Sequence, residues 1–137
     1  MLDFLREKAF SKIPQSGGSL EVIVTKIAKS LLTTKINNIM KKNVIARLKI
    51  KSDAIDNFIK STETLITETR KESGCITYKL YQEIADEKNE FLFYEIYEDD
   101  KALQMHADSP CLEDFLNNIS DFLLEKPIVE VHEMNQF

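Results

Sequence analysis

Residues 91–97 read Phe-Leu-Phe-Tyr-Glu-Ile-Tyr, a run of strand-favouring side chains broken by one carboxylate. Side chains alternate across a strand, so Phe91, Phe93, Glu95 and Tyr97 share one face, and Leu92, Tyr94 and Ile96 share the other. A carboxylate in an aromatic row has two physical readings. The row faces water, or a charge has been set into a cavity.

The flanking sequence supplies the partners of this strand. Residues 44–51 alternate, with Val44, Ala46, Leu48 and Ile50 on one face and Arg47, Lys49 and Lys51 on the other. Ser52 or Asp53 is suited to cap the following helix by accepting free backbone N–H groups. That helix carries an apolar stripe of Ile55, Phe58, Ile59, Thr62, Leu65, Ile66 and Thr69 at helical spacing. Gly74 stands where a left-handed residue would stop it. A strand over 75–82, a polar turn at Asp86-Glu87-Lys88-Asn89 and the strand over 90–97 form a hairpin.

Asp99 or Asp100 caps a short helix bearing Ala102, Leu103, Met105 and His106. Ser109-Pro110 opens the next, with Leu112, Phe115, Leu116, Ile119, Phe122 and Leu123 as its stripe. Pro127 ends it, and residues 128–134 make a last strand. The order is β-α-β-β-α-β, an α+β, ferredoxin-like arrangement with both helices on one sheet face. The other face, rich in Ile, Phe and Val, calls for a second copy packed against it.

The chain of 137 residues carries a net charge of −5, unevenly spread. Residues 1–42 hold eight basic and three acidic residues, a net of +5; the remainder is at −10. The reading is a basic N-terminal extension over 1–42 joined to a domain over 43–137. An acidic domain is a poor binder of nucleic acid, because phosphates need a basic face. Within the extension, Gln15-Ser16-Gly17-Gly18-Ser19 is a flexible break. Leu20, Ile23, Ile27, Leu31 and Ile39 are part of one helical stripe with Lys26, Lys29 and Lys35 largely off it. Membrane contact by this helix is one reading, and packing on its own domain or across a dimer is the favoured one. Met40 is a candidate ancestral start, which would make the first 39 residues an appendage.

No apolar run reaches the roughly 18 to 20 residues that span a bilayer. Cys75 and Cys111 are too few for a disulfide framework and read as free thiols in a reducing cytoplasm. Neither has a His or Lys partner in sequence, so thiol catalysis is disfavoured. His106 and His132 are the only histidines and do not stand at metal-ligand spacing. No Gly-rich phosphate loop is present, so no nucleotide cofactor is expected.

Three segments carry a family resemblance: Glu72-x-Gly74-Cys75-x-x-Tyr78, Glu95-x-Tyr97, and His106-x-x-Ser109-Pro110 ahead of Phe115. In this order and spacing the chain resembles the antibiotic biosynthesis monooxygenases, which include quinol monooxygenases, over roughly residues 44–131. The resemblance implies a homodimeric α/β barrel with a pocket between sheet and helices. It also implies oxidation of a quinol or other small aromatic molecule by dioxygen, with no cofactor and no metal. The chain departs from the family at Tyr97, where Trp is usual. Relatives that degrade haem use Asn, Trp and a His iron ligand where this chain has Ala46, His106 and Leu116. Leucine cannot hold iron, so haem degradation is not expected.

The expected site follows from these residues. His106 is the candidate base, since an imidazole titrates near neutrality and can move a substrate proton. Glu95 is its candidate orienting carboxylate, or else a structural partner of His106, Arg47 or a backbone N–H. Phe91, Phe93, Tyr97 and Tyr78 are the candidate pocket walls. Two other functions fit the same scaffold: a non-oxidative isomerase using the same histidine, and a non-catalytic dimeric ligand-binding module.

Overall fold

In the computed structural model the described residues are 27–28 and 40–135. The expected helix over 20–40 lies outside them, apart from Ile27 and Ala28, which are helical and exposed, and Met40, which is a half-buried bend ahead of the first strand. Four strands and three helices follow in order: β1 (Lys41–Lys49), α1 (Ile55–Thr69), β2 (Cys75–Gln82), β3 (Glu90–Tyr97), α2 (Asp100–Ala107), α3 (Pro110–Ile119) and β4 (Ile128–Met134). The sheet runs β2-β3-β1-β4 with every pair antiparallel, the ferredoxin-like order, and it is not closed. Among the described residues no helix is long and apolar enough to cross a membrane.

Alternation decides which face of the sheet is buried. In β1 and β3 every second residue is buried, so Val44, Ala46 and Leu48 lie beside Glu95, Phe93 and Phe91 under the helices. Phe58 of α1 fills the centre of this layer, 4.7 Å from the Phe91 ring and 6.2 Å from Phe115 of α3. Such tilted aromatic contacts add to the area each ring removes from water. Ile45, Leu92, Tyr94 and Ile96 lie on the opposite face, which none of the described elements covers, and stay half-exposed.

Several local expectations are corrected. β1 begins at Lys41, three residues before the clean alternation, because Lys42 is held in the ladder by partners on both neighbouring strands. Neither Ser52 nor Asp53 caps α1; residues Ser52–Ala54 form a 3-10 turn that leads into the helix without a side-chain cap. α1 ends at Thr69, so Gly74 (φ +82°) is not its stop but the last residue of a turn before β2. α3 ends at Ile119 in a 3-10 turn, well before Pro127.

The ends of α2 and α3 form as read. Asp99 accepts the Ala102 N–H at 2.8 Å, and Ser109 accepts that of Leu112 at 3.2 Å with Pro110 in the first helical turn. The Asp99 cap fixes where α2 starts and the Ser109 cap fixes the elbow between the helices, with His106 just before that elbow.

Candidate active site

The strand register builds one wall of a cavity row by row. Tyr78, Glu95, Val44 and Val131 lie side by side across β2, β3, β1 and β4, and Leu80, Phe93, Ala46 and Val129 form the next row, all but Leu80 lining the cavity. A bulge between Cys75 and Thr77 brings Tyr78 into line with Glu95. Opposite this wall stand Leu103 and His106 of α2 with Leu112 and Phe115 of α3. The space between them is about 60 Å³ and almost wholly apolar, with Glu95 and His106 as the polar residues that line it beside Tyr78.

His106 is buried, at 4% exposure, and its ring lies between two aromatics. The centroid of Tyr78 is 5.4 Å away and that of Tyr97 is 5.3 Å away. Its Nδ1 meets Glu72 Oε2 at 3.0 Å and Oε1 at 3.3 Å. A carboxylate only accepts, so the proton of the neutral imidazole sits on Nδ1 and Nε2 keeps its lone pair. That is the state a general base requires, and an outer carboxylate is a common way to hold it.

Glu95 plays a different part from the one expected of it. It accepts the Tyr97 hydroxyl at 2.6 Å rather than bonding to His106 or Arg47. Arg47 instead pairs with Glu130 at the sheet surface, at 3.2 Å. Burial pushes the Glu95 carboxyl above its usual range; the His106 imidazole and the Tyr97 hydroxyl pull it back, and Glu72 pushes it up. The Tyr97 and Tyr78 hydroxyls are both held well above the usual phenol range, chiefly by burial. Both tyrosines therefore act at neutral pH as neutral polar groups, not as bases.

Of the residues singled out in the sequence, His106, Glu95, Phe93 and Tyr78 are brought together around the cavity. Phe91 is not in the wall: it lies deeper, beneath Phe58. Tyr97 touches the site through Glu95 and the face of His106 but does not line the cavity. The residue missed as a partner is Glu72. It stood in the motif Glu72-x-Gly74-Cys75, and its role shows only when the turn after α1 brings it to α2. Cys75 and Cys111 are free thiols, both raised by desolvation, Cys75 to about 11. Neither is a thiolate at neutral pH.

Two contacts hold α2, and with it His106, against the sheet. Lys42, at 4% exposure, bridges Asp100 in the first turn of α2 at 3.2 Å and Glu133 of β4 at 2.9 Å. A buried ammonium without such partners would be costly, so the bridge fixes where α2 begins. Gly74 lies directly against Ala102, and its carbonyl accepts the Glu98 N–H at 2.8 Å.

Comparison with known proteins bears on the family and the fold. An uncharacterised protein of Synechocystis is 31% identical over 91 residues, 66% of this chain, and the chain spans 61% of that relative's length. A solved structure from Mycobacterium tuberculosis matches with a TM-score of 0.65 at 28% identity, over 71% of this chain and 97% of the other. A solved antibiotic biosynthesis monooxygenase matches with a TM-score of 0.65 at 26% identity, over 69% of this chain and 99% of the other. The sequence profile of the antibiotic biosynthesis monooxygenases matches residues 43–118, across β1 to α3 and including Glu72, Glu95 and His106, so the chain belongs to the antibiotic biosynthesis monooxygenase family.

Proposed function

We propose that this protein is a cofactor-independent monooxygenase that oxidises a small quinol or related phenol with dioxygen. The observation that carries the reading is His106: a buried imidazole in an apolar cavity wall, its Nδ1 held by Glu72 and its Nε2 left to accept a proton. The base takes a hydroxyl proton from the substrate, whose bonding electrons stay on oxygen. The resulting anion is electron-rich enough to react with dioxygen itself. For a simple hydroquinone the sum is hydroquinone plus dioxygen giving hydroxyquinone plus water, and the substrate supplies all four electrons. Glu95, held by the Tyr97 hydroxyl behind it, is the polar end of the site, where its carboxyl in the neutral form can support the developing oxyanion.

The cavity sets a limit on size. At about 60 Å³ it is smaller than the ~150 Å³ that accommodates benzene in an apolar core. A single ring therefore enters only as the walls part, and fused-ring substrates are disfavoured. We also propose a homodimer through the open sheet face, where Ile45, Leu92, Tyr94 and Ile96 await cover. Face-to-face packing of two such sheets would make the α/β barrel.

The test is oxygen uptake by the whole protein with a one-ring hydroquinone, corrected for uptake in buffer alone. Uptake should require protein and fall by about 10² to 10⁴-fold in His106→Ala, the usual contribution of a positioned base. Turnover under nitrogen would replace oxidation by an isomerase chemistry on the same histidine. No turnover in either gas with a range of small phenols would leave a binding module.

A further inference from the structure

We propose that Glu72 is a proton relay connecting the enclosed imidazole of His106 to solvent. The proposal rests on His106 being the base of the reaction above, and it adds a route for the proton. His106 is 4% exposed and faces a cavity that is almost wholly apolar, so a proton taken at Nε2 meets no exposed polar side chain on that side. Glu72 reaches the opposite nitrogen at 3.0 Å, yet its own side chain is 20% exposed. On its outer side it lines a surface groove shared with Gln104, Met105, Asp108 and Pro110. The carboxylate thus stands between the buried imidazole and solvent, in contact with both.

The steps balance without an added reactant. The substrate O–H breaks and its proton joins Nε2 of His106. The proton already on Nδ1 moves to Glu72 Oε2, leaving a neutral imidazole protonated at Nε2 and a carboxylic acid. The acid gives its proton to water in the groove. Because the overall reaction returns its protons to the water formed, the same path runs in reverse later in the cycle. The other titratable groups facing His106 do not offer this route. Glu95, Tyr78 and Tyr97 are all buried at 6% exposure or less, and Glu95 already holds the Tyr97 proton bond. The backbone of Glu72 is anchored on both sides. Its N–H is bonded to the Thr69 carbonyl at 3.0 Å, and its own carbonyl accepts the Cys75 N–H at 3.2 Å.

The test uses the full chain and reads His106 directly. With only two histidines present, nitrogen-15 NMR of the ring separates buried His106 from exposed His132. The wild type should show the proton on Nδ1, and that proton should exchange with deuterated water faster than in Glu72→Gln. The difference should be about 10- to 100-fold, as for loss of a partner that positions a histidine. In Glu72→Ala, added acetate entering the groove should restore both exchange and oxygen uptake, and it should restore neither uptake nor turnover in His106→Ala. Glu72→Gln should lower kcat with little change in KM, because Glu72 does not touch the substrate. Exchange equal in wild type and Glu72→Gln, or a wild-type proton on Nε2, overturns the relay. Absence of oxygen uptake with the exchange difference intact would overturn the oxidation and leave the relay standing.

Discussion

Gly74 and Ala102 touch so closely that a Cβ placed on residue 74 would lie 2.5 Å from the Ala102 Cβ. No real pair of side chains sits at that distance, and Gly74 also holds φ at +82°, where a Cβ is strained. The contact presses the start of β2 against the first turn of α2, the helix that carries His106.

Gly74→Ala should therefore be costly twice over. The left-handed backbone costs about 1–2 kcal/mol and the forced overlap about 1–3, together about 2–5 kcal/mol. Denaturant unfolding measures the loss. Activity should fall further than stability predicts, because α2 must shift and draw His106 away from Glu72. A fully stable Gly74→Ala protein would mean that this contact does not set the position of α2.

Tyr97→Phe removes the hydroxyl that Glu95 accepts at 2.6 Å and leaves a buried carboxyl without that bond. The expected cost is about 1–3 kcal/mol, the usual penalty for orphaning a buried polar group. Since the phenol does not line the cavity, oxygen uptake should keep its KM for a one-ring substrate. A rise in KM larger than the change in kcat would place Tyr97 in the substrate wall.

Glu95 should leave a signature in stability against pH. Burial raises its carboxyl above the ordinary glutamate range, so the folded chain holds the proton to higher pH than the unfolded chain does. The stability attached to this proton is fully present below the unfolded value and is lost as pH rises through the folded one. Glu95→Gln cannot lose a proton. Its melting temperature should therefore fall less than that of the wild type as pH rises above the ordinary glutamate range. Parallel curves for the two proteins would remove Glu95 as the titrating group.

The uncovered sheet face should hold a second copy. A stable interface between two such faces buries roughly 2,000 Å² or more in total. Tyr94→Lys, at the centre of that face, should turn a dimer into a monomer in sedimentation at low micromolar concentration. A wild-type protein that sediments as a stable monomer would remove the barrel.

A chain beginning at Met40 should unfold cooperatively on its own, because every strand of the described sheet lies between Lys41 and Met134. The check is thermal melting of this chain beside the full one. A broad, non-cooperative melt would show that residues before Met40 belong to the core.

Much of the fold was legible in the sequence because its signals are local. The period of two in residues 90–97 and the helical spacing of Phe58, Thr62, Leu65 and Thr69 reflect contacts each element makes with one flat layer, and both match the structure; Ile59, read into the same helical stripe, is instead 39% exposed at its edge. Caps at Asp99 and Ser109 were legible for the same reason, since each bonds a backbone group three residues on. Termini governed by distant partners were not. Lys42 extends β1 because Asp100 and Glu133, both far along the chain, offset the cost of burying its charge.

The site divides in the same way. That His106, Glu95, Phe93 and Tyr78 face one interior followed from alternation, helical phase and the family pattern. Which carboxylate would hold His106 did not, because the choice between Glu95 and Glu72 depends on how far the turn before Gly74 swings across to α2. Glu72 and His106 are 34 residues apart and meet only when β2 and α2 are docked. Periodicity tells a side chain which face it occupies, whereas the distance between two polar atoms is settled by the packing of the elements that carry them.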